Sequence, residues 1–209
     1  MELEKLLMIG AGGQGKVVID AIRAAKIPFQ IIIADEDKGK NGHVISGQRI
    51  IAPVTDALLV GAMAFHVAVG HNASRERITS ELEKCGIANT AIVHFRACVS
   101  ETAQILCGVF VAAHAVIAPD ARLERGCIVN HGAIIDHDCV VGEFSHIAPN
   151  VTLGGGVKVG RRVLIGAGAN ILPGVSINDD CVVGAGAVVL NDLGTGTVHV
   201  GVPARKTDK

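Results

Sequence analysis

The spacing of apolar residues changes period once along this chain of 209 residues. Up to about residue 90, apolar runs alternate with amphipathic segments. "KLLMIG" reads as a strand, "AGGQG" as a loop and "KVVIDAIRAAK" as a helix, with the helix start placed at Gly15. "FQIIIAD" reads as a second strand ending at Asp35, "VTDALLVGAM" as a helix and "FHVAVG" as a strand. "ASRERITSELEKCG" reads as a charged amphipathic helix, and "TAIVH" closes this half. Strands alternating with helices predict a small parallel α/β sheet. Ligands of such sheets sit at the carboxyl ends of the strands, where Gly10, Asp35 and Gly70 fall.

From Val93 the period is six. Val93, Val99, Ile105 and every sixth residue to Val189 are Val, Ile or Leu, seventeen hits without a miss. With about a third of positions aliphatic, chance gives this on the order of once in 10⁸ for one register. A second phase, from Ala97 through Ala187, holds only small or β-branched residues. Such a hexad predicts a parallel β-helix, a solenoid of short strands and tight corners. The large aliphatics are expected at the interior corners and the small residues along the crowded wall. The expected division is therefore 1–90 as an α/β domain and 91–209 as a β-helix with a short tail.

Composition agrees with a narrow bore. The chain is 49% hydrophobic but 2% aromatic, with no Trp or Tyr. Cys127, Cys139 and Cys181 occupy the small-residue phase, which predicts inert wall packing. The six cysteines form no C-x-x-C pair, so reduced thiols are expected. A net charge of −1 supplies no field for nucleic acid. No apolar run is long enough to span a bilayer, and the charged "ELEK" after Met1 argues against an export signal. A cytoplasmic protein without membrane insertion is expected.

Two motifs carry chemistry. Gly10, Gly12 and Gly15 form G-x-G-x-x-G with Asp35 twenty residues beyond, the spacing of a dinucleotide fingerprint. Taken alone it suggests NAD. Among nine histidines, His137 stands two places after an interior Ile135, between Asp136 and Asp138. A carboxylate beside an imidazole orients it and stabilises the imidazolium, as general-base chemistry near neutral pH requires.

The hexads, with "GAGGQGKVV", "IIDHDCVVGEFSHIAPN" and the terminal "GVPAR", resemble the hexapeptide-repeat acyltransferases. Within them the chain closely resembles one subgroup, the sialic-acid O-acetyltransferase-like proteins and the N-acetyltransferases of nucleotide-linked 4-amino-4,6-dideoxy sugars. That resemblance implies a left-handed β-helix with three hexads per coil, about five coils in all. It implies a homotrimer with acetyl-CoA as co-substrate between neighbouring helices and a sugar nucleotide, expected to be UDP-linked, on the N-terminal sheet. His137 then matches the catalytic base and Asp138 its acidic partner. His146, Ala167 and Ala185 match residues contacting acetyl-CoA. Gly12, Gly13 and Gln14 match the loop cradling the sugar nucleotide, and Asp35 an acid holding its base or ribose. The family often has His where this chain has Gln14. Arg205 is open between a CoA phosphate and solvent. A metal site from His131, His137 and Asp138 is not expected, because the reach across the coil is long.

The leading expectation is N-acetylation of a nucleotide-activated amino sugar in glycan biosynthesis. O-acetylation of sialic acid is the alternative within the class. Outside it stand an NAD-dependent oxidoreductase with a β-helical oligomerisation tail and a non-catalytic trimeric scaffold.

Overall fold

The computed structural model describes residues 4–25, 29–59 and 62–207. The N-terminal sheet has six strands in the order β3-β4-β2-β1-β5-β6. These are β1 (Glu4–Ile9), β2 (Phe29–Ala34), β3 (Val44–Ile45), β4 (Gln48–Ile51), β5 (Ala64–Val67) and β6 (Ala88–Asn89). All pairings are parallel except the β3–β4 hairpin. The hairpin lies in a segment with no readable period, and it extends the sheet beyond β2. Helix α1 (Gly13–Ala24) follows β1. It starts two residues earlier than expected, so Gly13 and Gln14 belong to its first turn. The segment "VTDALLVGAM" forms only a one-turn helix, α2 (Asp56–Leu59), and residues 60 and 61 of that stretch lie outside the described residues. Helix α3 (Asn72–Glu83) is the charged amphipathic helix.

The solenoid consists of seventeen two-residue strands, from β7 (Ile92–Val93) to β23 (Val188–Val189), one every six residues. Each ends on a hexad aliphatic, so the seventeen hits and the seventeen strands coincide. Strands eighteen residues apart pair in parallel and build three flat faces. The first face starts at Ile92–Val93, the second at Cys98–Val99 and the third at Gln104–Ile105. "TAIVH" is thus split, with Ile92–Val93 opening the solenoid rather than closing the N-terminal half.

The hexad aliphatics point inward from the faces, not from the corners. They stand on strands, where side chains alternate in and out, so the second residue of each pair faces the bore. The small residues Ala115, Ala121, Cys127, Ala133 and Cys139 precede each strand at the corner and are fully buried. A tight turn leaves room there only for a short side chain. A third phase runs through the corners. From Gly108 to Gly186, fourteen successive sixth residues have positive φ. Gly, Asp and Asn fill most of them, and those residue types tolerate the left-handed conformation.

The N-terminal unit packs on the first coils of the first face. Ile92, Phe110 and Ile128 share a buried cluster with Met8, Val18, Ile19 and Ile33. On the opposite side of the sheet, Leu7, Ile9, Phe65 and Val67 pack with Ile78 and Leu82 of α3. The polar side of α3 lies along the corner that follows the third face. Glu83 pairs with Arg125, Glu76 with both Arg161 and Arg162, and Arg162 with Asp180. These pairs are partly exposed and contribute at most about 1 kcal/mol each.

Candidate active site

Two clefts meet at the end of β5. The first, of about 280 Å³, is lined by Gly10, Gly12, Gly13, Gln14, Asp35, Lys40, Gly70 and Ser74. All four residues expected to hold the sugar nucleotide line it, Gly70 joins them at the strand end where ligands were expected, and Lys40 and Ser74 complete the lining. The third glycine of the fingerprint has a packing reason. Gly15 is buried, and a Cβ there would collide with the carbonyl oxygen of Gly10. The loop and the first turn of α1 can therefore close tightly beside the cleft, where a helix N-terminus has N–H groups without intrahelical partners.

Asp35 serves the loop. Its Oδ2 accepts from the Ala11 N–H at 2.8 Å and from Lys40 Nζ at 2.8 Å, and its Oδ1 accepts from the Asp37 N–H at 2.9 Å. Burial works to raise its pKa, but the hydrogen bonds from Lys40, Ala11 and Asp37 outweigh it and hold the carboxyl below its ordinary value. The carboxylate thus braces the cleft wall. Gln14 is the reverse case: its Nε2 is buried without a hydrogen-bond partner. An unsatisfied buried amide costs roughly 1–3 kcal/mol, and a ligand oxygen in the cleft would remove that cost.

The second cleft, of about 250 Å³, is lined by Gly70, His71, Asn72, Ala73, Arg162, Leu164, Asp180 and Val182. It lies where the first face emerges from under the N-terminal unit. Gly70 belongs to both clefts.

His137 sits on the corner after the second face, following Ile134–Ile135. Its Nδ1 and Asp138 Oδ2 are 2.8 Å apart, and its backbone N–H donates to Asp136 Oδ1. Asp138 occupies one of the left-handed corner positions, with φ of 60°. The hydrogen bond to Asp138, aided by the charge of Asp136, raises the His137 pKa above its ordinary value. With Nδ1 engaged by the carboxylate, Nε2 is free to take a proton. The ring lies over Gly155, the equivalent residue one coil on: a Cβ at Gly155 would stand 2.5 Å from His137 Nε2. Sequence reasoning missed Gly155. Its eighteen-residue spacing from His137 was the available signal.

His146 is elsewhere, on the first face in β16 (His146–Ile147). Its Nδ1 lies 3.3 Å from the Gly70 carbonyl oxygen, and its Nε2 lies 3.3 Å from Asn130 Nδ2. A carbonyl only accepts, so Nδ1 carries the hydrogen and Nε2 accepts. Burial, with the nearby charge of Arg75, pushes this imidazole down to about 4. It is neutral at pH 7. Ala167 and Ala185 are exposed and stack on one corner, that after the first face. Within one chain, His137 and this alanine pair therefore occupy opposite edges of the second face. Cys127, Cys139 and Cys181 are buried, as the small-residue phase predicts. Arg205 is exposed in a short terminal strand. Among the described residues, no group of three or more His, Cys, Asp or Glu side chains gathers as a metal site, and no helix is long and apolar enough to cross a membrane.

A glycine-loop cleft on a parallel sheet, joined to a hexad solenoid with an outward His–Asp pair, defines a class. The chain belongs to the hexapeptide-repeat acyltransferases, in the group that acetylates nucleotide-linked amino sugars. Residues 5–82 match the PglD N-terminal domain, and residues 138–172 and 156–191 match the bacterial transferase hexapeptide repeats. The chain is 32% identical to GDP-perosamine N-acetyltransferase from Caulobacter crescentus, determined with CoA and GDP-perosamine. The match covers 100% of this chain and 99% of that one, with a TM-score of 0.92. It is 34% identical to the acetyltransferase domain of PglB from Neisseria gonorrhoeae FA1090 in complex with acetyl coenzyme A, covering 99% and 100%, with a TM-score of 0.91. A serine acetyltransferase from Helicobacter pylori is 39% identical over a stretch spanning 44% of this chain and 60% of that protein. The fold is a Rossmann-like sheet followed by a left-handed parallel β-helix, a winding opposite to the usual right-handed crossover. The protein is an acetyltransferase that uses acetyl-CoA, and the NAD-dependent oxidoreductase reading falls with this assignment.

Proposed function

We propose that the protein transfers acetyl from acetyl-CoA to the 4-amino group of a nucleotide-linked 4-amino-4,6-dideoxy sugar, with residues 1–90 holding the sugar nucleotide and 91–209 the acyl donor. The observation that carries this reading is the outward His137–Asp138 pair on a chain that also bears the glycine-loop cleft. The amine attacks the thioester carbonyl. His137 Nε2 takes the amine proton as the C–N bond forms. The tetrahedral centre collapses, the C–S bond breaks, and the imidazolium returns the proton to the leaving sulfur. Asp138 holds the ring and stabilises its charged form. Gly12, Gly13 and Gln14 meet the phosphates or sugar, while His146, Ala167 and Ala185 flank the pantetheine arm.

The Caulobacter crescentus relative was solved with GDP-perosamine, so a GDP-linked sugar replaces the UDP-linked one as first candidate. The acyl-transfer site is composite in this reading. The outward residues of the second face are Cys98, Val116, Ile134, Thr152, Asn170 and Val188, none of them charged, whereas the third face carries Arg122 and Lys158. Packing the second face around a threefold axis in a homotrimer brings the His137 corner of one protomer against the Ala167–Ala185 corner of the next. A cytoplasmic location fits these substrates.

The test is a panel of GDP-perosamine, a UDP-linked 4-amino-4,6-dideoxy sugar and sialic acid, each with acetyl-CoA, followed by CoA release and mass spectrometry of the product. N-acetylated GDP-perosamine or its UDP counterpart is expected. Acetylation of a sialic acid hydroxyl alone would overturn the proposal. Gln14→Ala is expected to raise the KM for the sugar nucleotide about tenfold without moving that for acetyl-CoA.

A further inference from the structure

Among the described residues, the most deeply buried charge lies outside both clefts. Arg75 on α3 is 1% exposed, and none of its hydrogen-bond acceptors is a carboxylate. Nη1 donates to the carbonyls of Val69 at 2.9 Å and Gly70 at 3.1 Å. Nη2 donates to Asn72 Oδ1 at 2.9 Å and the Phe144 carbonyl at 2.7 Å, and Nε donates to the Gly126 carbonyl at 2.7 Å. Burial lowers its pKa to about 10, which leaves it charged at neutral pH.

A buried guanidinium with no counter-charge is expensive. Here every acceptor is a carbonyl or amide oxygen, and the acceptors fall into two sets. Val69 and Gly70 belong to the loop before α3 and Asn72 opens that helix, and all three line one or both clefts. Gly126 and Phe144 belong to successive coils on the corner after the third face. Asn72 continues the link, its Nδ2 donating to the Arg162 and Val163 carbonyls on the next coil. The planar fork, with donors in fixed directions, reaches both sets at once, and a lysine ammonium cannot.

We propose that Arg75 is a positioning residue. It fixes the Val69–His71 loop and the first residue of α3 at a set height on the solenoid, and thereby sets where the sugar nucleotide meets the acyl-transfer corner. The proposal rests on the function inferred above. Gly70 is the junction, since its carbonyl receives Arg75 on one side and His146 Nδ1–H on the other. Helix α3 keeps its independent clamps through Glu76 and Glu83, so loss of Arg75 releases the loop before it releases the helix.

The experiment compares wild type with Arg75→Lys and Arg75→Met as purified full chains, with activity referred to folded enzyme by thermal unfolding. The KM for the sugar nucleotide is expected to rise at least tenfold in both variants and kcat to fall, while the KM for acetyl-CoA stays within about twofold. A purely structural role predicts a lower Tm with unchanged constants per folded enzyme, and that result overturns the proposal. A second readout needs no substrate. Amide hydrogen exchange of Val69, Gly70 and His71 is compared between wild type and Arg75→Lys, which keeps the charge and loses the fork, and is expected to be at least tenfold faster in the variant while the body of α3 exchanges unchanged. Unchanged exchange of this loop overturns the proposal even if no sugar in the panel is a substrate. Faster exchange with no sugar-nucleotide turnover in wild type upholds the positioning role and rejects the substrate reading.

Discussion

Replacing Gly155 by alanine tests the catalytic reading most directly. The added Cβ would stand 2.5 Å from His137 Nε2 and 2.6 Å from Cε1. Ordinary contact begins near 3.4 Å, so the ring tip must retreat by roughly 1 Å, a displacement that costs about 10²-fold when it falls on a reacting group. The backbone does not object, because Gly155 is outside the positive-φ set and the left-handed residue is its neighbour Gly156. Stability should change little, because the His137 side chain is 60% exposed and free to swing outward. The change in unfolding free energy is expected within about 0.5 kcal/mol, and a Gly→Ala change at a tolerant backbone even favours the fold slightly. The assay is steady-state CoA release beside a thermal melt. A fall of about 10²-fold in kcat with the Tm held within a few degrees is expected. Undiminished kcat would show that the ring position over Gly155 is irrelevant to proton transfer. Parallel loss of activity and Tm would show that the glycine serves the fold.

Other consequences are independent of that one. Asp138→Asn removes the group that raises the His137 pKa, so the acidic limb of the kcat/KM profile should move to lower pH while the plateau falls at least tenfold, read by initial rates between pH 5 and 9. His66 is fully buried, with Nδ1 donating to the Thr90 carbonyl, and burial lowers its pKa to about 4. The folded value lies below the unfolded one, so the unfolded chain binds the proton first. Stability from this group is complete above pH 6.5 and is lost progressively down to about pH 4, a change of about 3 kcal/mol. His146 contributes a loss of the same sign, so urea melts at pH 7 and 4.5 should show a loss in His66→Gln that is smaller than the wild-type loss by about 2–3 kcal/mol. Ile134→Lys places a charge on the uncharged second face and should convert the proposed trimer to monomers by sedimentation, with activity lost together with assembly.

The legible part of this molecule was periodic. Seventeen aliphatics at a spacing of six fixed the number and place of the solenoid strands, because a narrow bore leaves one residue in six no alternative. The same counting misassigned faces and corners, since a period gives spacing but not the phase of the turn. The Gly, Asp and Asn run from Gly108 to Gly186 held that phase and went unread. Glycine-loop residues were readable because the backbone there demands particular residues. Arg75 was not: inside "ASRERITSELEKCG" it looks like one more solvated charge, and its solenoid acceptors are carbonyls 51 and 69 residues away. Main-chain oxygens carry no mark in a sequence. The β3–β4 hairpin lacked a period for a related reason, its short strands being held by pairing at the sheet edge.

The grip of α3 on one corner makes the solenoid a ruler. Its anchor points fall on Arg125, Gly126, Phe144, Arg161 and Arg162, so they sample three successive coils. Duplicating or deleting eighteen residues within that span would keep the bore perfectly in register and yet misplace the glycine-loop cleft by a whole strand spacing, about 4.8 Å. The same insertion beyond Val189 would lengthen the rod and leave the measured interval untouched. Length variation in proteins built this way should therefore gather at the far end of the rod, and the coils beneath α3 should have a fixed number.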